Sequence, residues 1–152
     1  MSEMSTLAKA IAIAAQAHGD QVDKAGEPYI LHPLRMMLHL DNEAAQIVAV
    51  LHDVVEDTAL TLEDLRAAGF AAAIVEAVDC VTRRETESYT QFIERLQDNA
   101  LARQVKLADL ADNMDLKRIS TLLTAADLAR LERYHLAWTQ LTQRANASAE
   151  KS

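Results

Sequence analysis

Apolar residues along this chain recur three and four positions apart rather than in alternation, the period of helices with one buried face. From about Ser5 to His18, Leu7, Ile11, Ala14 and Ala15 fall on one stripe of a first helix. Gly19 to Ile30 holds two of the three glycines and the first proline and reads as a loop. A short helix follows from His32 or Pro33, because proline suits a first helical turn. Asp41 and Asn42 offer a cap for the next helix, which runs into AVLHDVVEDT at residues 49–58. T-L-E-D from Thr61 is a capping-box pattern, and Gly69 ends the short helix it opens. Further helices are expected over 71–82, from S-Y-T-Q at Ser88, over 100 to about 116, and from T-A-A-D at Thr124.

The sum is an all-α bundle of seven or eight helices. With 152 residues and 50% hydrophobic content the chain suits a single domain with a real core, here placed over residues 1–145. The polar, small-residue end at 146–152 is expected to be a frayed tail. No internal repeat, linker or low-complexity block interrupts the pattern.

Charge and cysteine content remove several function classes. Fifteen Lys and Arg against 23 Asp and Glu give a net charge of −8, the wrong sign for a protein that lives on nucleic-acid phosphates. Cys80 is the single cysteine, so neither an internal disulfide nor a cysteine-based zinc framework is expected. The apolar N-terminal stretch carries Glu3, Lys9 and Gln16, which argues against a signal peptide or membrane span. A cytoplasmic protein without membrane partners is the expectation, with a homo-oligomer left open.

Ionisable residues break the apolar stripes at particular places. His52 shares its stripe with Ala45, Val48, Ala49 and Val55 and should point inward. Taken alone, such a histidine is more commonly a hydrogen-bonded core residue than a ligand. Asp53 is adjacent, however, and a buried carboxylate needs a cation or a donor network. Continued helix would bring Glu56 and Asp57 one turn beyond on the same side; a helix end frayed into water is the bland alternative. Asp109 interrupts the stripe of Ala102, Val105 and Leu116, whereas Asp112 and Asp115 read as a solvated face. His32 enters a helix from a loop, His18 and His39 read as incidental, and His135 near Trp138 reads as structural. Two histidines and two aspartates from three segments would make a mixed nitrogen–oxygen site for one divalent metal. Manganese or iron suits it best, with zinc possible, and calcium or a closed structural zinc site suits it less well.

H…HD…D on an all-α chain resembles the HD-domain metal-dependent phosphohydrolases. HDVVEDT is similar to the HDxxED element of the hydrolase domains of RelA/SpoT homologues, which remove the 3′-pyrophosphate from (p)ppGpp. GEPYILHP and VKLADLADNM resemble the family's segments carrying the first metal histidine and the last metal aspartate. The resemblance covers roughly residues 7–120. It implies a small alarmone hydrolase with an HD-domain bundle and no synthetase or regulatory region. His32, His52, Asp53 and Asp109 would be metal ligands, and Glu56 and Asp57 the acid pair that works on the water. Lys24, Tyr29 and Asn113 would line the nucleotide pocket. The products would be GDP or GTP plus pyrophosphate, and mutual repulsion would raise one acid of the pair. Lys24, Arg83, Arg84, Lys106 and Lys117 are candidates for a basic rim.

The chain departs from the family where Asp23 and Lys24 replace a basic pair and where Asp109–Asp115 reads DLADNMD instead of DRLHNMR. That pattern admits two alternatives: hydrolysis of another nucleotide such as (p)ppApp, or a non-catalytic nucleotide-binding HD protein.

Overall fold

The computed structural model describes residues 6–150. Among them it is all-α: α1 (Thr6–His18), α2 (Leu31–Leu38), α3 (Glu43–Leu51), the single turn α4 (Val54–Asp57), α5 (Leu62–Ala67), α6 (Ala72–Cys80), α7 (Tyr89–Leu96), α8 (Ala100–Asn113) and α9 (Ala125–Glu150). A 3-10 turn at Leu116–Arg118 links α8 to the approach to α9. No helix among the described residues is long and apolar enough to cross a membrane.

The core is organised around α3. Ala45 and the run Ile47–Leu51 are buried, so this helix is apolar nearly all round and is enclosed by α1, α2, α6 and α8. Asn42 starts it by accepting a hydrogen bond from the Ala45 N–H at 2.8 Å; Asp41 does not act as the cap. α1 docks through Ala10, Ala14 and His18, small residues at a spacing of four that let it approach closely. Ala15, placed on that stripe by periodicity, is exposed, and His18 is buried at the stripe's end. The proposed start at Ser5 lies outside the described residues.

Local signals for helix starts are obeyed. Thr61 with Asp64 and Ser88 with Gln91 form reciprocal capping boxes at α5 and α7. Thr124 and Asp127 make the same exchange ahead of α9, at 2.9 and 3.1 Å. Gly69, at φ +94°, takes the left-handed conformation that ends α5. The loop after α1 is tied by the antiparallel bridge Val22–Pro28, and Asp23 Oδ1 accepts from the N–H groups of Ala25 and Glu27.

Nine α-helices are described against the seven or eight expected, α2 starts at Leu31, α6 ends at Cys80, and two further boundaries differ. α8 stops at Asn113 because Asp115 turns its carboxylate to the Lys117 N–H and begins the 3-10 turn. Residues 146–150 of the segment expected to fray instead continue α9, their alanines favouring helix, and 151–152 lie outside the described residues. α9 docks on α8 and α7 through Ala137 and Leu141, with Arg144 paired to Asp98 at 2.8 Å. His135 is exposed on this helix and is not a structural residue.

Leu141 is fully buried, whereas Leu136 on the same helix is 66% exposed. Leu141→Ala is expected to cost about 2–5 kcal/mol in urea unfolding, and Leu136→Ala to stay within about 0.5 kcal/mol. Equal losses would show that α9 is not docked as described.

Candidate metal centre and its acid pair

α2, α3 and α8 converge at one end of the core and bring His32, His52 and Asp109 together. One ligand atom from each lies within 4.8 Å of the others, and all three residues are buried. Asp53 adjoins them, its Oδ2 2.9 Å from His52 Nε2.

The backbone around His52 explains its aim. α3 ends at Leu51, and His52 and Asp53 form a joint before α4 restarts the helix. His52 Nδ1 donates to the Ala49 carbonyl oxygen at 2.6 Å, which leaves Nε2 toward Asp53 and Asp109. The Asp57 N–H bonds the Asp53 carbonyl at 2.9 Å, so the single turn of α4 carries Glu56 and Asp57 directly beyond Asp53.

His32 is held at both ring nitrogens by α8. Nε2 meets Asp109 Oδ1 at 2.9 Å, and Nδ1 meets Asp112 Oδ2 at 2.6 Å. Asp112 also accepts from Arg35 Nε at 2.9 Å and from Arg118 Nη1 at 2.6 Å. It is therefore part of the centre and not the solvated face that periodicity suggested; Asp115 does cap the 3-10 turn from the outside. Arg35 and Arg118, unremarked in the sequence, have one legible signal: Arg35 lies three residues after His32, on the same face of α2.

Lys106, expected on a basic rim, does line the cavity beside the cluster, but its ammonium is already engaged. It pairs with Asp109 Oδ2 at 2.6 Å and lies 5.2 Å from the centroid of Phe92. Arg84 pairs with Asp79 at 2.7 Å, and Arg83 offers its backbone N–H to Glu56 Oε1 at 3.0 Å. The Tyr29 hydroxyl donates to Asp53 Oδ2, and Asn113 Nδ2 donates to Asp109 Oδ1 at 3.1 Å. Both side chains, expected at a nucleotide, thus also steady acids of the centre. His18, expected to be incidental, packs its ring 4.9 Å from that of Tyr29.

Electrostatics among these protein groups are strongly coupled. Burial opposes charge on His32 and His52, but the surrounding carboxylates outweigh it, raising His32 and lifting His52 well above the ordinary imidazole value. Burial likewise opposes charge on Asp109, yet Lys106 and the two histidines hold it well below the usual carboxylate range. Glu56 and Asp57 move the other way. Partial desolvation in the cavity wall is the main cause for both; Asp53's charge adds to it, while the Arg83 N–H opposes it at Glu56. Mutual repulsion contributes at Glu56, but it is a minor cause beside desolvation.

The residues fit a divalent cation on donor chemistry: two imidazole nitrogens and the Asp109 carboxylate meet in a buried place, with the partly buried Asp53 carboxylate beside His52. With Glu56, Asp57 and Asp23, five acids face the adjoining cavity, against Lys106 and Arg118. Tyr29, His32, Asp53, Glu56, Asp57 and Asp109 face one cavity of about 290 Å³. A second, of about 400 Å³, lies alongside it, with Asp23, Asn113 and Arg118 on both linings and Lys24 on the larger one.

Curated relatives share most of this stretch. A Haemophilus influenzae guanosine-3′,5′-bis(diphosphate) 3′-pyrophosphohydrolase is 39% identical over 67% of this chain, and its Aquifex aeolicus counterpart 34% over 70%. A Myxococcus xanthus GTP pyrophosphokinase is 31% identical over 74% of the chain. In each case the chain spans 17% of the relative's length. Among solved structures, a metazoan SpoT orthologue described as hydrolysing ppGpp superposes with a TM-score of 0.70 at 23% identity, over 93% of this chain and 87% of that one, which shows the shared fold. Residues 10–126, which contain all of the clustered histidines and aspartates, match the model of the HD domain, and the chain belongs to that family.

Proposed function

We propose that this chain hydrolyses the 3′-pyrophosphate of (p)ppGpp with one divalent metal, releasing GDP or GTP and pyrophosphate. One observation carries the reading: the His32, His52, Asp53 and Asp109 cluster shares its cavity with a pair of acids, Glu56 and Asp57, that pure binding would not need. The names of the 3′-pyrophosphohydrolase relatives support the substrate.

His32, His52, Asp53 and Asp109 would hold the ion, and their mixed nitrogen and oxygen set favours Mn²⁺, with Fe²⁺ or Zn²⁺ as substitutes. When bound, the ion supplies positive charge to a phosphoryl oxygen and acidifies the attacking water. Glu56 and Asp57 orient that water and take its proton. The bond between the ribose 3′-oxygen and its phosphorus breaks, water oxygen joins the departing pyrophosphate, and the 3′-oxygen ends as a hydroxyl. Tyr29 holds Asp53 and Asn113 holds Asp109, so both acids keep their orientation during turnover. The adjoining cavity of about 400 Å³, with Lys24 at its wall, takes the nucleoside side of the substrate.

A second reading keeps the reaction and changes the base to adenine. It is favoured by the larger cavity, where Arg118 is engaged by Asp112 and Arg130 lies 3.5 Å from Asp127, so that the guanidiniums already have acidic partners.

Chelator-stripped protein given ppGpp and Mn²⁺ is expected to release GDP and pyrophosphate, seen by ³¹P NMR, and to do neither without the ion. Turnover of ppApp alone would move the assignment to the adenine reading, and turnover of neither would remove the hydrolase reading. Glu56→Gln and Asp57→Asn are each expected to lower kcat by about 10²-fold or more with metal affinity retained; full activity in both would reject the acid pair.

The pH profile follows from desolvation of that pair. The proton acceptor must be ionised, and its raised pKa moves the loss of activity upward in pH. At saturating metal the acid limb of kcat is therefore expected above the normal carboxylate value of about 4. A limb at or below that value would assign the role elsewhere.

A further inference from the structure

α8 approaches the His32 imidazole from both of its edges. Asp109 reaches Nε2 and Asp112, three residues on and one turn along the same face, reaches Nδ1. Resting on the metal-centre reading above, we propose that Asp112 is a positioning residue that fixes His32 as a metal ligand, with Arg35 and Arg118 holding the Asp112 carboxylate in place.

An imidazole nitrogen cannot donate a hydrogen bond and ligate a cation through the same lone-pair position. If His32 ligates through Nε2, its contact with Asp109 gives way to a shared ion. Asp112 is then the remaining side-chain hydrogen-bond partner that sets the ring's tautomer and direction. A carboxylate behind a ligating histidine also makes the nitrogen a stronger donor, and such partners are commonly worth 10- to 100-fold in metal affinity.

Asp112 is built for that task. Its side chain is only 10% exposed, and a carboxylate so enclosed costs stability unless its oxygens are used. Oδ1 accepts from Arg35 Nε; Oδ2 accepts from Arg35 Nη2 at 3.1 Å and from Arg118 Nη1 at 2.6 Å as well as facing His32. Arg118 Nη1 also bonds the Asp112 carbonyl oxygen at 2.9 Å. The two guanidiniums come from different elements, α2 and the 3-10 turn, so the carboxylate is restrained from two directions. Arg35 is on the same face of α2 as His32, which makes the brace a double contact between α2 and α8.

The test is Mn²⁺ affinity, measured by competition with a chromogenic chelator, for the wild type, Asp112→Ala, Asp112→Asn and His32→Ala. Thermal unfolding without added metal is recorded in parallel. Asp112→Ala is expected to weaken Mn²⁺ binding 10- to 100-fold, with Asp112→Asn intermediate because its amide oxygen still accepts from Nδ1–H. A loss of Tm with affinity within about twofold of wild type in both Asp112 variants would make Asp112 a purely structural bridge and overturn the proposal. Should Asp112→Ala fail to fold, Asp112→Asn and Arg35→Gln decide it by the same criterion. Wild-type protein that binds no Mn²⁺, Fe²⁺ or Zn²⁺, or binding that His32→Ala leaves untouched, would instead reject the metal centre itself.

Discussion

The contact between α2 and α8 at His32 is the constraint around which the rest of the molecule is arranged. It places an imidazole between two aspartates inside a protein interior, where breaking such a set by removing one member typically costs about 3–5 kcal/mol. The cost explains the density of partners. Lys106 and Asn113 answer Asp109 from one helical turn before and after it on α8, and Arg35 from α2 and Arg118 from the 3-10 turn answer Asp112. The helices that carry these groups must hold their register, and the packing of α3 against α1, α2, α6 and α8 does so with a nearly uninterrupted apolar surface.

The joint at His52 and Asp53 then turns a core helix into a reactive edge. The break closes His52 onto the Ala49 carbonyl and restarts the helix for one turn, with buried Val54 as the anchor and Thr58 Oγ1 returning to the Val54 carbonyl at 2.5 Å. His52, Asp53, Glu56 and Asp57 thereby come from six consecutive residues. The three acids have opposite electrostatic fates: against burial, the His52 imidazole beside Asp53 holds it down, while Glu56 and Asp57 are raised chiefly by desolvation, with the charge of Asp53 adding to it.

Helix starts, the all-α class and the three segments that meet at the His/Asp cluster were legible because each depends on local spacing. Thr61, Ser88 and Thr124 satisfy their own backbone within three residues, so nothing distant had to be known. Asp112 was misread, and the engagement of Lys106 missed, for the complementary reason. Helical period tells which side a residue occupies, not whether another element lies there; α2 and the 3-10 turn cover Asp112, and Phe92 from α7 with Asp109 encloses the Lys106 ammonium. The residues expected to fray after 145 were judged by polarity, whereas their alanines favour helix. His18 shows the same limit in reverse: an incidental histidine by spacing, it is the inner end of the α1 face and packs on Tyr29.

Charge raises the last question, since a chain of net charge −8 is proposed to act on a polyanion. The nearest cations do not resolve it. Lys106 is committed to Asp109, and Arg35 and Arg118 are committed to Asp112. Glu56 and Asp57 face the cavity and, once ionised, repel an entering phosphate. A divalent ion at the His32, His52, Asp53 and Asp109 cluster changes that balance at the point where the scissile pyrophosphate must sit. On this reading the ion is required for the substrate to approach as well as for the chemistry. The anionic wall then has a use of its own, because it rejects phosphates at a centre that holds no ion.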